Sequence, residues 1–81
     1  LNYTVEILIL PKDSIRDPEG EAIERHMLGE VRGKLKQVRV GKVIRVILEA
    51  SSKEEAIKMA EEFSSRGLHN PLVHKVELRA I

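Results

Sequence analysis

Along the chain the apolar positions switch repeatedly between period two and period 3.6, with short turn signals at each change. The resulting order is strand, helix, strand, strand, helix, strand. From Asn2 to Leu10, Tyr3, Val5, Ile7 and Ile9 share one side, and Thr4, Glu6, Leu8 and Leu10 share the other. Pro11 closes this strand. After the loop through Lys12, Asp13, Ser14 and Ile15 comes Asp17-Pro18. There a carboxylate can cap a helix, and proline suits the first turn because its missing amide hydrogen would have had no partner. The spacing predicts a buried stripe of Ala22, Ile23, Met27 and Val31, with Glu21 and Arg25 on a wetter flank and Gly29 or Gly33 marking the end.

Leu35–Val40 and Lys42–Glu49 alternate as two strands meeting at Gly41, and so little chain separates them that a hairpin is expected. A three-residue loop pairs Val40 with Ile44 and gathers Val38, Val40, Ile44, Val46 and Leu48 on one face; a slip of one residue would turn that set toward water. Gln37, Arg39, Val43, Arg45, Ile47 and Glu49 then occupy the other face. Ser52-Lys53-Glu54-Glu55 fits a capping box. The helix behind it has Ala56, Met59, Ala60 and Phe63 as its apolar stripe, with Glu54/Lys58 and Glu62/Arg66 one turn apart outside, and Gly67 ends it. Asn70-Pro71 introduces a last strand, Leu72 to Ile81, with Val76, Leu78 and Ala80 inward and Lys75, Glu77 and Arg79 outward. Two strand–helix–strand units joined by a hairpin describe an α+β, ferredoxin-like βαββαβ sandwich over residues 1–81. Its four-stranded antiparallel sheet carries both helices on one face. The bare face would mix Glu6, Leu8, Arg39, Val43, Arg45, Ile47, Lys75, Glu77 and Arg79, a composition that suits a protein partner, a second copy included.

Composition narrows the chemistry. A chain of 81 residues makes one small domain that buries only about 60% of its unfolded surface, so self-association is a natural supplement. A net charge of +1 gives no bulk reason to bind nucleic acid or membrane, and the absence of cysteine excludes disulfides, thiolate metal sites and thiol nucleophiles. No apolar run reaches the roughly 18 residues of a membrane span and no leader pattern is present, so a cytoplasmic location is expected. His26, His69 and His74 have no metal-ligand spacing, and Ser51, Ser52, Ser64 and Ser65 sit where capping explains them. Glu54, Glu55, Glu61 and Glu62 read as a solvated helix face, and Gly41-Lys42 has too few glycines for a phosphate loop. No catalytic, cofactor-binding or metal-ligating residue is expected. One local feature remains: Arg32, Lys34, Lys36, Arg39, Lys42 and Arg45 form a basic stretch without an acid. RNA-recognition modules of this fold stack bases on strand aromatics, and only Tyr3 and Phe63 are aromatic here. Guarding a sheet edge, or docking on an acidic protein surface, suits the stretch better. A regulatory module of the ACT type, with a small molecule at its dimer interface, is the other reading of the fold.

The strand ending Pro11-Lys12, the helix start Asp17-Pro18-Glu19-Gly20-Glu21-Ala22, the run Val38-Arg39-Val40-Gly41-Lys42 and Asn70-Pro71 occur in an order and spacing that resembles the PurS family. That family is the small subunit of phosphoribosylformylglycinamidine synthase. The resemblance implies a homodimer or tetramer that holds a PurQ-type glutaminase and a PurL-type synthetase together and assists ammonia transfer. ATP and magnesium would belong to the large subunit, with no cofactor in this chain. It also implies partner-interface duty for Arg39 and Lys42, and for Asn70 and Pro71. The chain departs from the family where Leu28-Gly29-Glu30 lacks the usual following aromatic, and where Val73-His74-Lys75 replaces an acidic pair.

Overall fold

The computed structural model describes residues 1–27 and 33–81. Its elements, in order, are β1 (Asn2–Pro11), α1 (Pro18–Met27), β2 (Lys42–Glu49), α2 (Lys53–Ser65) and β3 (His74–Ala80). Among the described residues the sheet has three strands, in the order β2-β1-β3, and both neighbours run antiparallel to β1. Register follows the alternation in the sequence: Ile7 lies opposite Ile44 on one side and Leu78 on the other, and Glu6 lies opposite Arg45 and Arg79. Val5, Ile7 and Ile9 are almost fully buried under α2, with Ile44, Val46, Leu48, Val76 and Leu78 packed around them.

The second helix starts as its sequence predicts. Ser52 Oγ accepts the Glu55 amide hydrogen at 3.1 Å, while the Glu55 carboxylate turns back to the Ser51 hydroxyl and amide rather than to Ser52. Its buried face is Ala56, Ala60 and Ser64, spaced four apart, so small side chains bring the helix close to the sheet. Met59 and Phe63, expected in that stripe, are exposed instead.

Three expectations about the middle of the chain are corrected. Leu35–Val40 forms no strand and no hairpin closes at Gly41, so the pairing of Val40 with Ile44 is not made within the chain and, among the described residues, the sheet has no fourth strand. Among the described residues only α2 covers the sheet, α1 packs against no other helix or strand, and Ile23 and Met27 of its predicted stripe are exposed. Val31 and Gly29 lie outside the described residues. The physical reason is a set of long-range contacts that hold residues 38–41 beside α1 and the end of β1. Gly20 lies against the Val38 carbonyl and Gly41 against the Ile9 carbonyl, so closely that a Cβ on either glycine would stand 2.2 Å from the oxygen. The last strand is also shorter than expected, beginning at His74, with Leu72 exposed in the turn before it.

Replacing Gly41 with alanine should therefore lower stability by about 1–3 kcal/mol, because the nearest opposing atom is the Ile9 backbone carbonyl oxygen, which cannot step aside as a side chain can. Gly33, at φ +79 with open space around its Cβ position, should lose only about 1 kcal/mol on the same change, from backbone strain alone. Urea denaturation of the two variants would compare these losses; equal losses would refute the steric account of Gly41.

Candidate interaction site

The loop from Lys12 to Asp17, the run 38–42 and the loop before β3 meet at one end of the sheet, and three polar residues hold them there. Asp17 caps α1: its Oδ1 accepts the Gly20 amide hydrogen at 3.1 Å, and its Oδ2 accepts that of Val40, across 23 residues, at 2.7 Å. These bonds, the one from Val40 first, hold the Asp17 carboxyl below its ordinary value. Arg39 turns inward, donating through Nη2 to the Lys12 and Ile15 carbonyls. Its Nε is buried and has no hydrogen-bond partner among the described residues. Asn70 builds an Asx turn, with its Oδ1 accepting the Leu72 amide hydrogen at 3.0 Å and its own amide donating to His74 Nδ1 at 2.9 Å. A neutral His74 ring accepting at Nδ1 carries its hydrogen on Nε2. The Lys12 amide donates to the Val73 carbonyl, tying this turn to the end of β1.

Between these parts lies a cleft of about 200 Å³ lined by Ile9, Pro11, Glu19, Val40, Gly41, Lys42 and His74. Of the four residues singled out in the sequence, Lys42 lines it with an exposed side chain, and Asn70 orders the turn that sets His74. Pro71 stands exposed in that turn. Arg39 is half-buried and engaged with backbone, so its charge works as a clamp on the loop. The arrangement offers shape, hydrogen bonds and local charge. Among the described residues no group of histidines and acids could hold a metal. The Ser64 hydroxyl meets His69 Nδ1 at 2.7 Å but is buried on the sheet-facing side of α2, out of reach of a substrate.

A second surface is the sheet face opposite α2. At its centre Glu6, only 6% exposed, accepts bonds from two arginines on the flanking strands. Arg45 reaches Oε2 at 2.8 Å and Arg79 reaches Oε1 at 2.6 Å. The arginine bonds, Arg79 first, hold the Glu6 carboxyl below the usual range. Val43 and Ile47 stand exposed beside this triad. The sequence places all three charged residues on one face, but the triad was missed because it depends on β1 lying between β2 and β3, which alternation alone does not state.

Both carboxyls are more acidic folded than unfolded, so the stability they contribute is fully present above the ordinary carboxylate range and is lost as pH falls through their folded values. Urea midpoints should be level from pH 7 to about 5 and fall below about 4. Asp17→Asn should flatten part of that fall; an unchanged acid slope in this variant would contradict the role of Asp17.

Comparison with known proteins gives a consistent picture. Residues 4–81 match the family model described as PurS, phosphoribosylformylglycinamidine (FGAM) synthase. The PurS subunit of Thermotoga maritima is 36% identical over 70 residues, covering 86% of this chain and 85% of that protein. That of Archaeoglobus fulgidus is 36% identical over 75 residues, covering 90% and 91%. Among solved structures, the Thermotoga maritima purS subunit superposes with a TM-score of 0.89 at 32% identity, over 100% of this chain and 93% of that one. A chain of the Thermotoga maritima PurLQS structure superposes with a TM-score of 0.88 at 32% identity, covering 100% and 99%.

Proposed function

The chain belongs to the PurS family of phosphoribosylformylglycinamidine synthase subunits, and on that premise we propose that it joins a PurL-type synthetase to a PurQ-type glutaminase without performing chemistry itself. The observation that carries this reading is the likeness of the whole chain to a chain of the PurLQS assembly. The polar groups of the chain agree with it: Asp17, Arg39 and Asn70 are spent on holding loops, and Glu6 is saturated by two arginines.

The need for such a subunit is chemical. Ammonia released from glutamine into water at neutral pH is mostly ammonium, which has no lone pair to attack with, so the releasing and consuming sites must be held in register with water excluded between them. A small protein with two-sided docking surfaces supplies that alignment. The end of the sheet carrying Lys42, Asn70 and Pro71 is assigned to partner contact, with Arg39 fixing the loop behind it. ATP and magnesium belong to the synthetase, and this chain carries no cofactor. The setting is the cytoplasm, where purine nucleotides are assembled; no helix among the described residues is long and apolar enough to cross a membrane.

Reconstitution with matched PurL and PurQ subunits tests this. Glutamine-dependent amidine formation should require the chain, while the chain alone should hydrolyse neither glutamine nor ATP. Lys42→Glu should weaken assembly about tenfold or more by reversing an exposed interface charge. Equal glutamine-dependent rates with and without the chain would overturn the reading.

A further inference from the structure

The cleft at the end of the sheet is apolar where it is deep and polar where it is open. Ile9, 1% exposed, lies at its base, with Pro11 and Val40 half-buried beside it. Three residues that can carry or donate charge line it, each from a different element. Glu19 comes from the first turn of α1, Lys42 opens β2 and His74 opens β3. Register and packing fix all three: Lys42 lies opposite Ile9 and His74 opposite Pro11, while Gly20, next to Glu19, rests on the Val38 carbonyl. A few polar groups converging over an apolar base are the usual composition of a small-molecule site.

The charges on this cleft are opposite and unspent. Glu6, Asp13, Glu21 and Glu62 each hold a cation, but among the described residues neither Glu19 nor Lys42 forms an ion pair, with the other or with a third group. Both are exposed and both line one cavity, so they stand apart with space between them. His74 adds a donor. Its Nδ1 accepts the Asn70 amide hydrogen, which leaves the Nε2 hydrogen on the ring edge away from that bond.

We infer that this cleft binds a free α-amino acid as its zwitterion. The carboxylate takes the Lys42 ammonium and the His74 Nε2 hydrogen, the ammonium takes the Glu19 carboxylate, and an uncharged aliphatic side chain rests on Ile9, Pro11 and Val40. A ligand of one charge is attracted by one of Glu19 and Lys42 and repelled by the other, whereas a molecule carrying both signs is attracted by both. Glu19 disfavours phosphates, and the cleft has no aromatic face on which a nucleobase could stack. Its volume of about 200 Å³ equals that of about seven water molecules, which suits valine and is too small for a nucleotide. Because Glu19 and Lys42 are exposed, water screens both contacts, and a dissociation constant of about 1 mM is expected. The site lies within one chain, and the inference goes beyond the synthase reading without resting on it.

Nuclear magnetic resonance of the nitrogen-labelled chain tests this at a pH of about 7.5, where an ordinary imidazole is neutral. Titration with L-valine should move the amide signals of Gly20, Gly41, Lys42 and His74 and saturate. N-acetyl-L-valine, which lacks the ammonium, and L-valinamide, which lacks the carboxylate, should each bind about tenfold more weakly. The variants should give a crossed pattern: Glu19→Gln weakens L-valine but not N-acetyl-L-valine, and Lys42→Gln weakens L-valine but not L-valinamide. A merely loosened fold would weaken all three probes alike. Signal dispersion checks that each variant folds, and the wild-type comparison of the three probes stands without them. No saturable shift at these amides by about 10 mM L-valine, equal binding of the capped probes, or uncrossed losses in folded variants would each overturn the site. Failure of the synthase reading would appear separately, as no restored activity with PurL and PurQ whatever the spectra show.

Discussion

The hydrogen bond from the Val40 amide to the Asp17 carboxylate decides the shape of this protein. One oxygen of Asp17 caps α1 and the other holds a residue 23 positions away, so the start of the helix and the approach to β2 are one construction. Arg39, next to Val40, closes the same loop from the other side through the Lys12 and Ile15 carbonyls. With these contacts in place the chain enters β2 alongside β1, and β2 has an unpaired outer edge among the described residues. A hairpin at Gly41 that broke the bond from Val40 would leave Asp17 Oδ2 without that donor, at the cost that accompanies unmaking a charge-assisted hydrogen bond.

This is also where the sequence was legible and where it was not. Alternation placed Val5, Ile7 and Ile9 inward, Arg45 and Arg79 outward, and Ser52 at a helix cap, because each is set by neighbours within a few residues. Asp17-Pro18 announced α1 for the same reason. The hairpin failed because its prediction rested on sequence proximity across Gly41, while the outcome was set by partners 23 to 27 residues away. Gly41 was read as a turn residue; in the structure it is glycine because the Ile9 carbonyl leaves no room for a Cβ. Met59 and Phe63 follow the helical period as well as Ala56 and Ala60 do, yet they lie outside, since only one stripe can meet a three-stranded sheet.

The site shows the same division. Lys42, Asn70 and Pro71 were chosen for their motifs, and the fold does bring them to one end of the sheet. Arg39 is singled out by the same motifs, but its guanidinium points into the loop; only the distant carbonyls explain that, and no local pattern encodes them. The Glu6 triad carries no local signal either, because its members stand on three strands and become neighbours only through register.

A protein whose work is to be covered by others must carry charge without making that covering prohibitive. Burying an ionised side chain is costly unless its partners are buried with it, and Glu6 already holds two guanidinium groups in bonds of 2.6 to 2.8 Å before any partner arrives. A surface brought against that face would meet a preassembled ion triad beside Val43 and Ile47, so contact there would remove apolar surface from water while the carboxylate keeps its donors. The clamps at the other end act likewise, since Asp17 and Arg39 fix their loops in advance and little chain entropy is left to lose on association. Polar residues set in this way stiffen a surface rather than react on it.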